Sequence, residues 1–126
     1  MRRFWTAAAL LVLLLEGSLA NAWYARTLTE DMGVRLDQAQ AMAGAGKWGQ
    51  AAELTGQVRA DWEAHRLYFH VVARHSDADG IAKGFRAVEE YLALEEADQY
   101  NAANADLMAQ LALIAEMEQP SWINVL

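Results

Sequence analysis

The chain has 126 residues, with 17 acidic and 10 basic side chains, a formal net charge of -7, one Pro and no Cys. That length holds a single domain, and the missing Cys excludes disulfides, thiolate metal sites and covalently attached haem. Ala, Leu, Glu, Gln and Met dominate, β-branched residues are scarce and no alternating apolar run is bounded by turn residues, so the expected class is all-α.

The chain opens with Met1-Arg2-Arg3 and a run from Phe4 to Leu15 that carries no charge, followed by Glu16-Gly-Ser-Leu-Ala-Asn-Ala-Trp-Tyr24. A basic start ahead of an apolar helical segment is what the export machinery reads, with Arg2 and Arg3 held inside and the remainder directed outward. Two fates fit. The run to Leu15 has the length of a signal-peptide core, and Ala20-Asn21-Ala22 supplies the small-x-small pattern that signal peptidase accepts. The longer stretch from Phe4 to Tyr24 reaches the roughly 20 residues needed to cross a bilayer, with Trp23 and Tyr24 placed as an interfacial aromatic belt. Spanning puts Glu16 inside the membrane at a cost of about 2.5 to 3.5 kcal/mol if central and ionised, which the surrounding Leu, Val and Ala offset. The expectation is a signal anchor or signal peptide over 1–26 and an extracytoplasmic helical bundle over 27–126. The protein is then single-pass in the cytoplasmic membrane, with secretion after cleavage as the alternative. A buried core helix of a cytosolic protein is the remaining reading.

Thr27-x-x-Glu30 has the form of a capping box, so a helix starts there and runs through Leu28, Met32, Leu36, Ala39 and Ala43. In the anchor reading it continues instead straight out of the apolar segment. Gly44-Ala-Gly46 ends this element. Trp48, Ala51, Thr55, Val58, Trp62, His65, Phe69 and Val72 then recur at 3,4 spacing, a seam that predicts one helix near 40 Å long and needing partners. Gly46-Lys-Trp-Gly-Gln-Ala51 resembles the second half of a tetratricopeptide repeat; nothing repeats it 34 residues on, so it reads as a helix-hairpin joint.

Ser76-Asp-Ala-Asp79 reads as a cap with acidic residues in the first turn, opening a helix with Ala78, Ile81, Phe85, Val88 and Leu92 on one stripe and Tyr91 beside it. The pattern breaks around Asp98-Gln-Tyr-Asn101, restarts as Leu107, Leu111, Ile114 and Met117, and stops at Pro120 before an apolar tail, Ser121 to Leu126. The tail is expected to fold back onto the bundle, because exposed it is an aggregation and proteolysis hazard. The simplest architecture is an N-terminal hydrophobic helix followed by an up-down four-helix bundle.

From Trp23 to Arg86 the chain holds eight basic and eight acidic residues, whereas Ala87 to Leu126 holds eight acidic residues and no Lys or Arg. This asymmetry gives a solvated acidic face or a docking face for a basic partner. It argues against nucleic acid, since phosphates are repelled from that half and no basic patch exists elsewhere.

His65, His70 and His75 are five apart, so no two share a helical face as an i,i+4 metal pair does. His75-Ser-Asp77-Ala-Asp79 has ligand-type side chains, yet capping accounts for it. Nucleophile elbows, phosphate loops and His-Glu-x-x-His are lacking, and Glu89, Glu90, Glu95 and Glu96 read as solvated. No catalytic, cofactor-binding or metal-binding residue is assigned, no cofactor is expected, and the protein is expected not to be an enzyme.

The stretch Arg74-His-Ser-Asp-Ala-Asp79, with Phe85, Val88, Tyr91-Leu92, Asp98, Leu107, Leu111, Ala115-Glu-Met-Glu118 and Ser121-Trp-Ile-Asn-Val-Leu126, resembles an uncharacterised bacterial family of small membrane-anchored or secreted helical proteins, a domain of unknown function. The resemblance implies an envelope-facing helical protein and carries no activity. Ala78 departs from it, standing where the pattern leads one to expect a larger aliphatic residue. The leading function is a noncatalytic cell-envelope interaction module, engaging an envelope protein through a helical groove or the acidic face. The alternative is a small-ligand or metal-binding bundle. Oligomeric state is left unassigned by the sequence.

Overall fold

The computed structural model describes residues 1–72 and 75–117, without the side chains of Ala22, 70–72, 75, 76 and Met117. The helices are α1 (Arg2–Gly44), α2 (Trp48–Ala64), α3 (Arg66–Val72), α4 (His75–Leu94) and α5 (Ala97–Met117), with no strand among the described residues. Helix α1 packs on α2 and α5, and α4 packs on the same two. The order around the bundle is therefore α1, α2, α4, α5, with each sequence neighbour antiparallel, the up-down arrangement expected of short connections.

Each long helix turns one 3,4-spaced stripe inward. Buried are Ala25, Thr29, Met32, Leu36, Ala39 and Ala43 of α1 and Ala51, Thr55, Val58 and Trp62 of α2. Across from them lie Ala78, Ile81, Phe85, Val88 and Leu92 of α4 and Tyr100, Asn104, Leu107, Leu111 and Ile114 of α5. That repeat keeps a seam facing its partners along a whole helix. The end at which α1 enters the bundle, near Ala25, is called proximal below, and the end with the α1–α2 and α4–α5 turns distal.

Helix α1 is 43 residues long, about 64 Å at 1.5 Å per residue. No helix starts at Thr27: its Oγ1 donates to the Trp23 carbonyl at 2.8 Å, one turn back inside α1, and Glu30 pairs with Arg26 instead of reaching the Thr27 amide. The capping-box reading is thus corrected, and the helix runs straight out of the apolar segment. The 1–26/27–126 boundary falls inside this one helix.

The long seam is also corrected. It breaks at His65, where α2 ends with the His65 amide shared between the Asp61 and Trp62 carbonyls, 3.2 Å each; α3 resumes as Phe69 N donates to His65 O at 3.0 Å. The break does not dissolve the core, because Phe69 remains buried and stacks on Trp62 at 4.3 Å between ring centroids.

Both distal turns close by the same device. The Gly46 amide donates to Ala43 O and the Lys47 amide to Met42 O, with Gly46 left-handed at φ 81°. At the other turn the Glu95 amide donates to Leu92 O and the Glu96 amide to Tyr91 O, with Glu95 left-handed at φ 54°. These are Schellman caps. Helix α5 therefore starts at Ala97, and Asp98-Gln-Tyr-Asn101 lies within its first turns, where a break was expected. Pro120 and the tail from Ser121 to Leu126, including its expected folding back, lie outside the described residues, as does the Ser76 side chain of the expected cap.

Candidate functional groove

A surface groove of about 280 Å³ lies in the proximal half, between α2 and α4, lined by Arg59, Trp62, Glu63, Arg66, Ala78, Asp79, Ala82, Phe85 and Arg86. Sequence spacing builds it. Arg59, Trp62, Glu63 and Arg66 follow one another at 3, 1 and 3 residues, so they share one flank of α2 and the turn beyond it. Opposite them α4 offers Ala78 and Ala82, one turn apart. Those two positions carry only a methyl group and so leave space beside the buried rings of Trp62 and Phe85, whose centroids are 6.4 Å apart.

The rim carries Arg59, Arg66 and Arg86 together with Glu63 and Asp79. Arg59 is engaged, its Nη1 2.8 Å from Glu89 Oε2 on α4 and its Nε 3.5 Å from Glu63 Oε1. No ion pair to Arg66 or Arg86 is found among the described residues. On the far flank of α2, Arg35 joins Asp31 at 2.9 Å and Asp61 at 2.6 Å, linking α1 to α2. Helix α5 has neither Lys nor Arg, and of the acidic residues beyond Arg86 only Glu89 is paired with a base among the described residues. The outer face of α5 thus presents exposed Asp98, Asp106 and Glu116, while the arginines lie on the α2–α4 flank.

Other polar groups serve packing. His65 Nδ1 lies 2.8 Å from the Asp61 carbonyl oxygen; a carbonyl only accepts, so this nitrogen carries the proton and caps the broken end of α2. The side chains of His70 and His75 lie outside the described residues. Among the described residues no three His, Asp or Glu side chains gather as a metal ion requires. Asn104, buried on the α5 seam, donates from Nδ2 to Leu36 O at 3.1 Å and Gln40 Oε1 at 3.0 Å, pinning α5 against α1. The Tyr100 hydroxyl and Thr55 Oγ1 are buried with no hydrogen-bond partner among the described residues. Burial pushes the Tyr100 phenol up to about 12 from its usual 10, because the anion loses more hydration than the neutral form.

Neither the groove nor its arginines stands out in the sequence, where Arg59, Arg66 and Arg86 read as ordinary surface charges. The available signal was the small residue at 78, which registers only as a departure from a pattern.

Helix α1 is the one described helix long and apolar enough to cross a membrane, and its most apolar 18-residue window is entirely unburied by the protein. The family described as Domain of unknown function (DUF4363) matches residues 21–125, and the chain belongs to it. No curated protein and no solved structure shows significant similarity to the chain.

Proposed function

We propose that this member of the DUF4363 family is a noncatalytic cell-envelope interaction module: α1 anchors it in the cytoplasmic membrane and holds the bundle outside, where the α2–α4 groove receives a partner protein. The observation that carries this reading is the continuity of α1, which joins an apolar half exposed on every side to a half whose inward stripe is the bundle core. Exposed patches of that extent on a water-soluble protein are rare and mark membrane or partner contact. An uncleaved anchor is further favoured by the Tyr68 hydroxyl, which reaches back to Asn21 Oδ1 at 2.9 Å and Asn21 O at 3.1 Å. Cleavage after Ala22 removes both acceptors.

The groove suits an acidic or carboxylate-bearing segment. Arg66 and Arg86 supply guanidinium forks for a carboxylate. The test is a photo-activatable cross-linker placed at Ala82 and, as control, at Gln50 on the distal end, in native membranes. One discrete adduct at Ala82 and none at Gln50 is expected. Equal or absent adducts at both sites overturn the groove as the docking place.

The second reading, a small-ligand-binding bundle, draws on the same 280 Å³ groove. Native mass spectrometry, metal analysis and an absorption spectrum of the purified full chain separate the two, since a resident small molecule adds a fixed mass and a partner protein does not.

A further inference from the structure

Leu67 lies on α3, immediately after the break at His65, and is 83 % exposed. Its neighbours fix which way it faces. Phe69 is buried under Trp62, and the Tyr68 hydroxyl is held on Asn21 of α1. Successive helical residues are about 100° apart, so Leu67 points away from the core, beside the stretch of α1 where the apolar segment ends. Trp23, 69 % exposed, and Tyr24, 43 % exposed, lie at the same level, the Tyr24 ring set edge-on against Tyr68 at 5.4 Å.

With α1 read as a span, this level coincides with the membrane boundary. About 20 residues of helix cross the hydrocarbon core, so a span that begins at Phe4 leaves the core near Trp23. Three exposed apolar or aromatic side chains from two elements, Trp23, Tyr24 and Leu67, thus form one collar where the anchor emerges, continuous with the apolar surface of α1. Tyr and Trp are the side chains that favour such a boundary, with a polar tip on an apolar body.

We infer that α3 is a membrane-contact element: Leu67, Trp23 and Tyr24 enter the interfacial layer of the bilayer, and the bundle sits directly on the lipid surface instead of standing off it on a free stalk. The inference rests on the reading of α1 as a span. A docked bundle leaves the groove at a fixed height above the membrane, within reach of a partner that is itself membrane-bound.

The chain has no Cys, so single-site labelling is clean. The full chain is reconstituted in vesicles of phosphatidylcholine and phosphatidylglycerol with an environment-sensitive fluorophore at Leu67→Cys, Val12→Cys or Gln50→Cys. The expected result is deep quenching of residue 12 by chain-centre lipid quenchers and shallow quenching of residue 67 by headgroup-level quenchers, with a blue shift and loss of iodide quenching. Residue 50 is expected to be quenched by iodide alone. If residue 67 behaves like residue 50 while residue 12 is deep, the inference fails and the span stands. If residue 12 is also open to iodide, the span itself fails and takes the inference with it. Protection of residue 67 from iodide without any lipid quenching assigns the collar to a protein neighbour and overturns the lipid contact.

Discussion

The Tyr68 hydroxyl on α3 and the Asn21 side chain and carbonyl on α1 meet at 2.9 and 3.1 Å across 47 residues of sequence. This contact closes the proximal end of the bundle onto the apolar half of α1. A solvent-accessible hydrogen bond contributes up to about 1 kcal/mol, so Tyr68→Phe is expected to lower the melting temperature of the detergent-solubilised chain by a few degrees. It is also expected to raise amide exchange across α3. Unchanged exchange there contradicts a role for the pair in seating α3.

Trp62 belongs to the core beneath the groove. It is 4 % exposed and stacks on Phe69. Trp62→Ala is expected to destabilise by about 3 to 5 kcal/mol, a large share of a small domain's total, measured by denaturant unfolding. A loss under about 1 kcal/mol contradicts its placement. Ala78→Leu acts on the same core from the other side: Ala78 is 4 % exposed, so the added methyl groups overpack the seam and are expected to destabilise by about 1 to 3 kcal/mol. A stabilised Ala78→Leu chain contradicts that burial.

The two distal turns share one hydrogen-bond pattern but not one residue type. Left-handed backbone costs a residue with a Cβ about 1 kcal/mol more than Gly. Glu95→Gly is therefore expected to stabilise by about 0.5 to 1 kcal/mol, and Gly46→Ala to destabilise by a similar amount. Equilibrium unfolding of both variants checks the pair, and opposite signs are the required result.

Tyr100 gives the bundle an alkaline limit. Its folded phenol titrates at about 12 against an ordinary 10, so the unfolded chain releases this proton first as pH rises. The associated stability is complete below pH 10 and is lost progressively toward pH 12. Tyr100→Phe removes that loss, and because the hydroxyl has no partner among the described residues, the variant is expected to be as stable as the parent or more so at pH 7. Urea unfolding at pH 7 and pH 11 for both chains reads the difference. A steeper alkaline loss in Tyr100→Phe contradicts the assignment.

What was legible in the sequence was periodicity. The stripe from Ala78 to Leu92 is buried at every position read from spacing, and the up-down order followed from short joints. What was not legible depended on residues whose type misleads. Glu95 terminates α4 without Gly or Pro to announce it, so the break was expected at Asp98-Gln-Tyr-Asn101. Tyr100 and Asn104, polar by type, are core residues because the register of α5 carries them inward. Thr27 and Glu30 match a capping box yet sit mid-helix, since an apolar run preceding them already propagates α1. The groove was hidden for a different reason: it is made by what Ala78 and Ala82 do not fill, and absence of volume has no periodicity.

The central claim is that α1 crosses the membrane with the bundle outside. Its most direct test is labelling of intact protoplasts with a membrane-impermeant thiol reagent, using Gln50→Cys on the bundle and, separately, a Cys inserted after Met1. The account predicts that residue 50 is labelled on intact protoplasts, that the N-terminal Cys is labelled only after permeabilisation, and that the labelled protein resists alkaline extraction from membranes. Labelling of the N-terminal Cys on intact protoplasts, or protection of residue 50 until permeabilisation, contradicts it.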